Sequence, residues 1–186
     1  MSASTNNKPG VRKLYSWESE QARLVFGDHL DYERIRIHEC NPWPDRVNRI
    51  GLWLKRLPDT GAHNAITLAN HCIFPVKLPV ELLQPDHAEH YKICWLIHEL
   101  THAWQYQTLG WRYLILALRS QFKLKAEAYH YGGEKGLMES FLEGKKLGDF
   151  NLEQQGDIAR DFYKQLSSKK PVKAWEPYIK EIQRAA

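Results

Sequence analysis

Residues 93–104 read ICWLIHELTHAW, and the fold and the chemistry that we expect both follow from these twelve residues. Its apolar residues recur every three or four positions, which is the spacing of one face of an α-helix. They are Ile93, Leu96, Ile97, Leu100, Ala103 and Trp104. Such a stripe predicts a helix with a buried side. His98 and His102, four positions apart, share one face of that helix.

The pattern His98-Glu99-x-x-His102 predicts a metal-dependent hydrolase. Two imidazoles one helical turn apart can hold one zinc ion (Zn²⁺), and a catalytic zinc adds a third protein ligand and an open position. Glu99, next to the first ligand, would act as the general base that takes a proton from the attacking water. The competing interpretation is two histidines on the polar shoulder of a core helix, hydrogen-bonded to neighbours, because a pattern of three fixed positions also arises by chance.

Two glutamates downstream, Glu153 and Glu127, compete for the third ligand position. Asp157 lies one helical turn after Glu153, and its carboxylate could accept a hydrogen bond from a ligating histidine and so fix the tautomer. Gly156 would let another helix approach closely. Because Glu127 has no acid at the same offset, we favour Glu153; Glu127, or a histidine such as His130, remains an alternative.

Two further roles, substrate binding and oxyanion stabilisation, are assigned to groups of residues rather than to single ones. A strand within residues 65–74, before the motif helix, could bind an extended peptide by edge pairing. The developing oxyanion needs a donor besides the metal, and the candidates are Tyr129, His130, Tyr131 and Tyr163.

Composition and charge exclude several other classes of protein. A chain of 186 residues with 43% hydrophobic residues suits one packed domain. No apolar run is long enough to span a bilayer, and the polar residues 1–10 lack the apolar core of a signal peptide. Three cysteines without close spacing argue against a disulfide framework. A net charge of +4 without a dense basic patch argues against a specific nucleic-acid surface.

The order of predicted elements indicates an α+β fold, because a helix and a few strands are followed mostly by helices. The predicted helices span residues 17–26, 86–108, 111–131 and 151–166, with short ones over 137–146 and 175–184. A strand is predicted over 32–38, a strand pair or one long irregular strand over 65–76, and a loop over 41–45. We expect residues 1–12 to be a disordered lead and residues 13–186 to form a single domain.

Three blocks of the sequence carry a resemblance to a known family. Residues 98–105, HELTHAWQ, resemble the H-E-M-T-H-V-W-Q signature of a group of bacterial zincin metallopeptidase domains. Residues 25–28, VFGD, with the strand around Ile35, are similar to the start of such domains. Residues 150–157, with Glu-Gln-Gln at their centre, resemble a downstream block. Together the blocks cover most of residues 17–165, and the first is the sharp motif.

The resemblance implies a gluzincin-like fold, in which a small mixed sheet packs on the motif helix and a mostly helical C-terminal part follows. It implies zinc bound by His98, His102 and Glu153, with Glu99 as the base. Such domains occur fused to type VI secretion spike proteins of the VgrG type and to other polymorphic toxin carriers. The resemblance therefore implies a toxin or effector peptidase that acts on a protein or peptide.

The effector interpretation carries expectations about partners and location. The partners would be a secretion spike or carrier and a cognate immunity protein. The chain would be made in the cytoplasm without a signal peptide and delivered by a secretion machine to the periplasm or cytoplasm of a target cell. The sequence shows no spike or repeat region of its own, so the domain would be either cargo or excised from a longer carrier.

Two other functions remain as alternatives. A housekeeping zinc protease acting on nucleic-acid-associated proteins would use the same site together with the basic C-terminal residues, and steeply salt-dependent DNA binding would support it. A non-enzymatic, metal-stabilised interaction module would need His98 and His102 but not Glu99, because nothing in helix packing requires that glutamate.

Overall fold

The computed structural model describes residues 9–54, 58, 61, 63–110 and 130–184. The helices within these residues are α1 (Ser16–Phe26), α2 (Trp43–Leu54), α3 (Tyr91–Leu109), α4 (Gly133–Leu142), α5 (Leu152–Ser167) and α6 (Glu176–Ile182). The strands are β1 (Gly10–Arg12), β2 (Arg36–Glu39), β3 (Ile66–Leu68) and β4 (His71–Ile73), and short 3-10 turns span Tyr32–Arg34 and Leu147–Asp149. This order confirms the predicted α+β class.

The four strands form one mixed sheet in the order β1-β2-β4-β3. The central pair, β2 and β4, is parallel, and the two outer pairs are antiparallel. Of the two alternatives predicted for residues 65–76, the structure has the strand pair, formed by β3 and β4. Ile37 and Cys72 are opposite each other in the parallel pair, and both are fully buried. Strand β3 is an edge of the sheet, and it lies against α3.

Helix α3 contacts both the sheet and α5, and most of its residues are buried. The predicted apolar stripe is buried, with Leu100 and Ala103 fully inaccessible to solvent. The helix begins at Tyr91 rather than at residue 86, since the preceding residues form turns. It ends at Leu109, one residue after the predicted end, and Gly110 follows with a positive φ of 58° that suits a residue without a Cβ.

The prediction of a disordered lead is wrong for Gly10–Arg12, which form β1. Arg12 makes two hydrogen bonds of 2.6 and 2.8 Å to the carboxylate of Glu18, and a third of 3.0 Å to Glu39. Glu18 is buried, so the ion pair holds β1 against α1 and β2. Polar composition suggested disorder, but these polar groups are paired inside the fold. Residues 1–8 lie outside the described residues.

Two local predictions also differ from the structure. The loop predicted over residues 41–45 contains the start of α2, where Pro44 falls in the first helical turn, the part of a helix that accepts proline. The strand predicted over residues 32–38 begins only at Arg36, after a 3-10 turn.

The helix predicted over residues 111–131 falls almost wholly outside the described residues, and residues 130 and 131 are not helical.

Candidate metal centre

Three predicted ligands, His98, His102 and Glu153, meet between α3 and α5. The two Nε2 atoms are 3.1 Å apart, and Oε2 of Glu153 lies 3.4 Å from Nε2 of His98 and 3.6 Å from Nε2 of His102. A tetrahedral zinc with ligands about 2.0–2.2 Å away keeps its ligand atoms roughly 3.3–3.5 Å apart. The two imidazoles and the carboxylate could therefore hold one metal ion.

Glu153 is held in place by the start of α5. Asn151 is the N-cap residue, and its side chain accepts a hydrogen bond of 2.9 Å from the backbone N–H of Gln154. The side chain of Gln154 in turn accepts from the backbone N–H of Asn151, which completes a capping box. Glu153 lies in the first helical turn, where the helix dipole favours a negative charge.

The close approach of α5 to α3 depends on Gly156. A Cβ atom built on this glycine would lie 2.8–3.0 Å from three atoms of the His98 ring, which is closer than real Cβ atoms come. The ring therefore rests on the backbone of α5. The sequence-based expectation that Gly156 allows a second helix to come close is confirmed.

Both imidazoles are oriented through their other ring nitrogen. Nδ1 of His98 lies 3.0 Å from Oδ1 of Asp157, as predicted for an acid one turn after Glu153. Nδ1 of His102 lies 2.9 Å from Oε1 of Gln105. When each Nδ1 carries its proton and donates to these oxygens, Nε2 is the nitrogen available at the cluster. The role of Gln105 was not predicted, although its i+3 spacing from His102 is a signal that could have indicated it.

The ionisable groups of the cluster shift one another strongly. Burial alone would lower the pKa of His98, but hydrogen bonds to Asp157 and Glu153 outweigh it and raise that pKa to about 10. Burial would also lower the pKa of His102, but the hydrogen bond and the charge of Glu153 outweigh burial and raise that pKa. Burial would raise the pKa of Glu153, but its hydrogen bonds with both histidines hold it well below the usual range. Without a metal, the carboxylate of Glu153 thus favours the protonated form of both imidazoles.

Glu99 lies on α3 beside the first histidine and is buried. Its Oε2 accepts a hydrogen bond of 2.7 Å from the hydroxyl of Thr67, on the edge strand β3. Its Oε1 accepts no hydrogen bond from the residues that the structure describes. The orientation of this carboxylate is therefore set by the sheet. No local sequence pattern indicates that Thr67 contacts Glu99, because only the packing of β3 on α3 brings the two residues together.

The structure tests one of the two alternative third ligands, His130, but not the other, Glu127. Glu127 lies outside the described residues, so the choice between it and Glu153 rests on the position of Glu153 alone. His130 is exposed and does not belong to the group of ligand atoms formed by the described residues.

The candidate oxyanion donors are not brought to the cluster by any contact described. The hydroxyl of Tyr131 donates a hydrogen bond of 2.6 Å to Asp161, and the hydroxyl of Tyr163 donates one of 3.0 Å to Gln21 on α1. Both tyrosines thus have structural partners. Tyr129 lies outside the described residues.

Replacing Gly156 with alanine will weaken metal binding without weakening the helix. The added methyl group must displace the His98 ring. Gly51→Ala is the matched control, because it also lies inside a helix and a Cβ there would meet nothing within 4 Å. Each change gains up to about 1 kcal/mol of helix propensity. We expect Gly156→Ala to lower zinc affinity at least tenfold in a competition titration and Gly51→Ala to leave it unchanged. Equal affinities in both variants would contradict the contact.

Zinc binding at pH 7 will release protons. A pKa of about 10 keeps the imidazole of His98 protonated at pH 7, the pKa of His102 is raised in the same direction, and a ligating nitrogen must give up its proton. We expect between about one and two protons per zinc and an affinity that rises with pH, since protons compete with the metal. Calorimetry in two buffers of different ionisation enthalpy measures the number. A release near zero at pH 7 would show that the histidines are neutral beforehand.

Comparisons with known proteins relate this chain to a segment of a secretion spike protein. The chain is 30% identical over 162 residues to the type VI secretion system spike protein VgrG2b of Pseudomonas aeruginosa, in an alignment that covers 82% of this chain. No family model and no solved structure matches. In the part of the chain that the structure describes, no helix combines the length and the apolarity that a membrane crossing requires. The chain spans 13% of the length of the spike protein, so the similarity is to one segment of that protein.

Proposed function

We propose that this chain is a zinc-dependent metallopeptidase of zincin-like fold with Glu99 as its general base. The observation that carries the proposal is the position of Glu99, whose oriented carboxylate adjoins a group of two histidines and one glutamate. Two nitrogen ligands and one oxygen ligand, all from protein side chains, form one of the donor sets that catalytic zinc sites use. Zinc bound there would supply Lewis-acid chemistry, polarising the scissile carbonyl and making water more acidic.

Glu99 would move the proton in the reaction. Its Oε2 is held by Thr67, and Oε1 would accept the proton of the attacking water and later deliver it to the leaving amine. Because Glu99 is buried, little bulk water competes for this oxygen. Thr67 is a stiff, β-branched residue on a strand, so it would hold the carboxylate in one orientation.

The substrate would bind along the edge strand β3. Within the described residues, β3 pairs with β4 on one side, and its other side has no strand partner. An extended peptide could add to that side through backbone hydrogen bonds. Thr67, at the centre of β3, contacts Glu99, so a peptide paired there would run beside the base and the ligand group.

The similarity to a segment of VgrG2b supports a role in type VI secretion. We propose an effector peptidase that associates with a secretion spike and is carried to a target cell. Its substrate would be a protein or peptide of that cell, and the producing cell would hold a cognate immunity protein.

The decisive test is peptide hydrolysis by the zinc-loaded chain beside Glu99→Gln. Glutamine keeps the size of the side chain but cannot accept the proton, so the rate should fall by roughly 10²–10⁴. Zinc content, measured by elemental mass spectrometry, should stay at about one per chain in both proteins. His98→Ala should lose both zinc and activity.

Two results would contradict the peptidase proposal. One is full hydrolysis by Glu99→Gln at unchanged zinc content. The other is a parent protein that binds zinc, unfolds at a higher temperature with it, and cleaves no peptide in a diverse library. The second result would favour the interaction module, in which the metal only stabilises the fold.

Thr67→Val should reduce catalysis without reducing zinc binding. Valine has nearly the same shape as threonine but cannot donate to Glu99, so kcat/KM should fall about 10- to 100-fold. Thr67→Ser, which keeps the hydroxyl, should retain most of the activity. If Thr67→Val is as active as the parent, the hydrogen bond seen at 2.7 Å has no part in orienting the base.

A further inference from the structure

A cavity of about 490 Å³ opens beside the ligand group, between the start of α3 and the second half of α5. His98, one of the three candidate metal ligands, is among the residues that line the cavity. Tyr91 and Trp95 of α3 form an aromatic wall, and Arg160 and Lys164 of α5 lie opposite. Its volume is that of a small-ligand site, large enough for a side chain and part of a backbone. No acidic residue among those described lines it.

Arg160 is fixed in position by two carboxylates. Its Nη1 donates to Oδ1 of Asp157, the residue that also contacts His98, and its Nε donates to Asp161 at 2.9 Å. The second terminal nitrogen, Nη2, makes no hydrogen bond to the described residues. Arg160 is thus a rigid donor whose remaining N–H groups are available, but its charge is largely balanced by the two aspartates.

Lys164 is the cation at this cavity whose charge is not balanced. It is exposed and forms no ion pair with any residue that the structure describes. His90 also lines the cavity, and its pKa is lowered first by burial and then by the charge of Lys164. His90 therefore adds little positive charge near neutral pH. The net charge facing the cavity comes from Lys164.

The spacing along α5 gives the distance from the metal ligands. Arg160 and Lys164 follow Glu153 by seven and eleven positions, and a helix rises about 1.5 Å per residue, so they lie roughly 10 and 16 Å further along its axis. An extended peptide advances about 3.3 Å per residue. A substrate group that reaches these cations is therefore roughly three to five residues from the cleaved bond.

We propose that this cavity binds a carboxylate of the substrate, three to five residues from the scissile peptide bond. The inference rests on the proposed peptidase function and names its specificity. An apolar side chain would cover Lys164 and the free face of Arg160 without pairing them, and a basic side chain would be repelled. A carboxylate pairs with both cations. It comes either from an acidic side chain or from the C-terminus of a short peptide.

The test measures binding to zinc-loaded Glu99→Gln, so that no probe is consumed. The probes are nine-residue Ala/Ser peptides with amidated C-termini, in which one glutamate is scanned along the chain. Each peptide has a glutamine twin, and one all-neutral peptide has a free C-terminus. The readout is the indole N–H signal of Trp95 in two-dimensional NMR spectra, assigned with Trp95→Phe.

We expect glutamate peptides to shift the Trp95 signal and to bind about three- to tenfold more tightly than their glutamine twins, the effect of one partly solvated charge pair. Lys164→Gln should abolish that difference. Lys173→Gln is the matched control, an exposed lysine outside the cavity lining, and should keep it. Stronger binding by the free C-terminus than by any glutamate would identify the chain end as the source of the carboxylate.

Three results would overturn the proposal: no peptide shifts the Trp95 signal, the twins bind equally, or Lys164→Gln keeps the preference. None of them depends on turnover. A parent that cleaves peptides without acidic preference would overturn the carboxylate site and leave the peptidase proposal intact. If the parent cleaves no peptide but still binds the glutamate peptides more tightly than their glutamine twins, the peptidase proposal is overturned and the carboxylate site stands.

Discussion

The close packing of α5 on α3 is the constraint on which the candidate metal centre depends. Gly156 allows the His98 ring to rest on the backbone of α5. Only with that approach do Glu153 and Asp157, one turn apart on α5, reach opposite nitrogens of the same imidazole, Nε2 and Nδ1. One helix–helix contact thus sets both a ligand distance and the orientation of a ligand. A buried contact of this kind cannot shift gradually, because protein interiors are packed as densely as crystals.

The sheet contributes the other half of the site. Strand β3 carries Thr67 to Glu99, so the carboxylate of Glu99 is oriented by the sheet and not by α5. The candidate ligands and the proposed base, Glu99, therefore depend on different neighbours of one helix. A change in the packing of α5 would affect metal binding first, and a change in β3 would affect the base first.

Sequence predicted those parts of the site that depend on spacing along one element. The four-residue spacing of His98 and His102, and of Glu153 and Asp157, sets which side chains share a helix face. Contacts between distant segments were missed, because no local pattern encodes them. Thr67 meets Glu99 across 32 positions, and Arg12 pairs with Glu39 across 27. Because the contact between Arg12 and Glu39 could not be foreseen, residues 10–12 were predicted to belong to a disordered lead.

The steric role of Gly156 has a consequence for recognising related chains in genomes. A ligand helix that must pass over an imidazole tolerates no side chain at that position, so the glycine is tied to the ligand and its acidic neighbour. The combined pattern is Glu-x-x-Gly-Asp downstream of His-Glu-x-x-His, as in residues 153–157 and 98–102 here. The two patterns together fix six positions, twice as many as the short motif alone. Chains with the first pattern but a bulky residue in place of the glycine must build their third ligand from a different helix geometry.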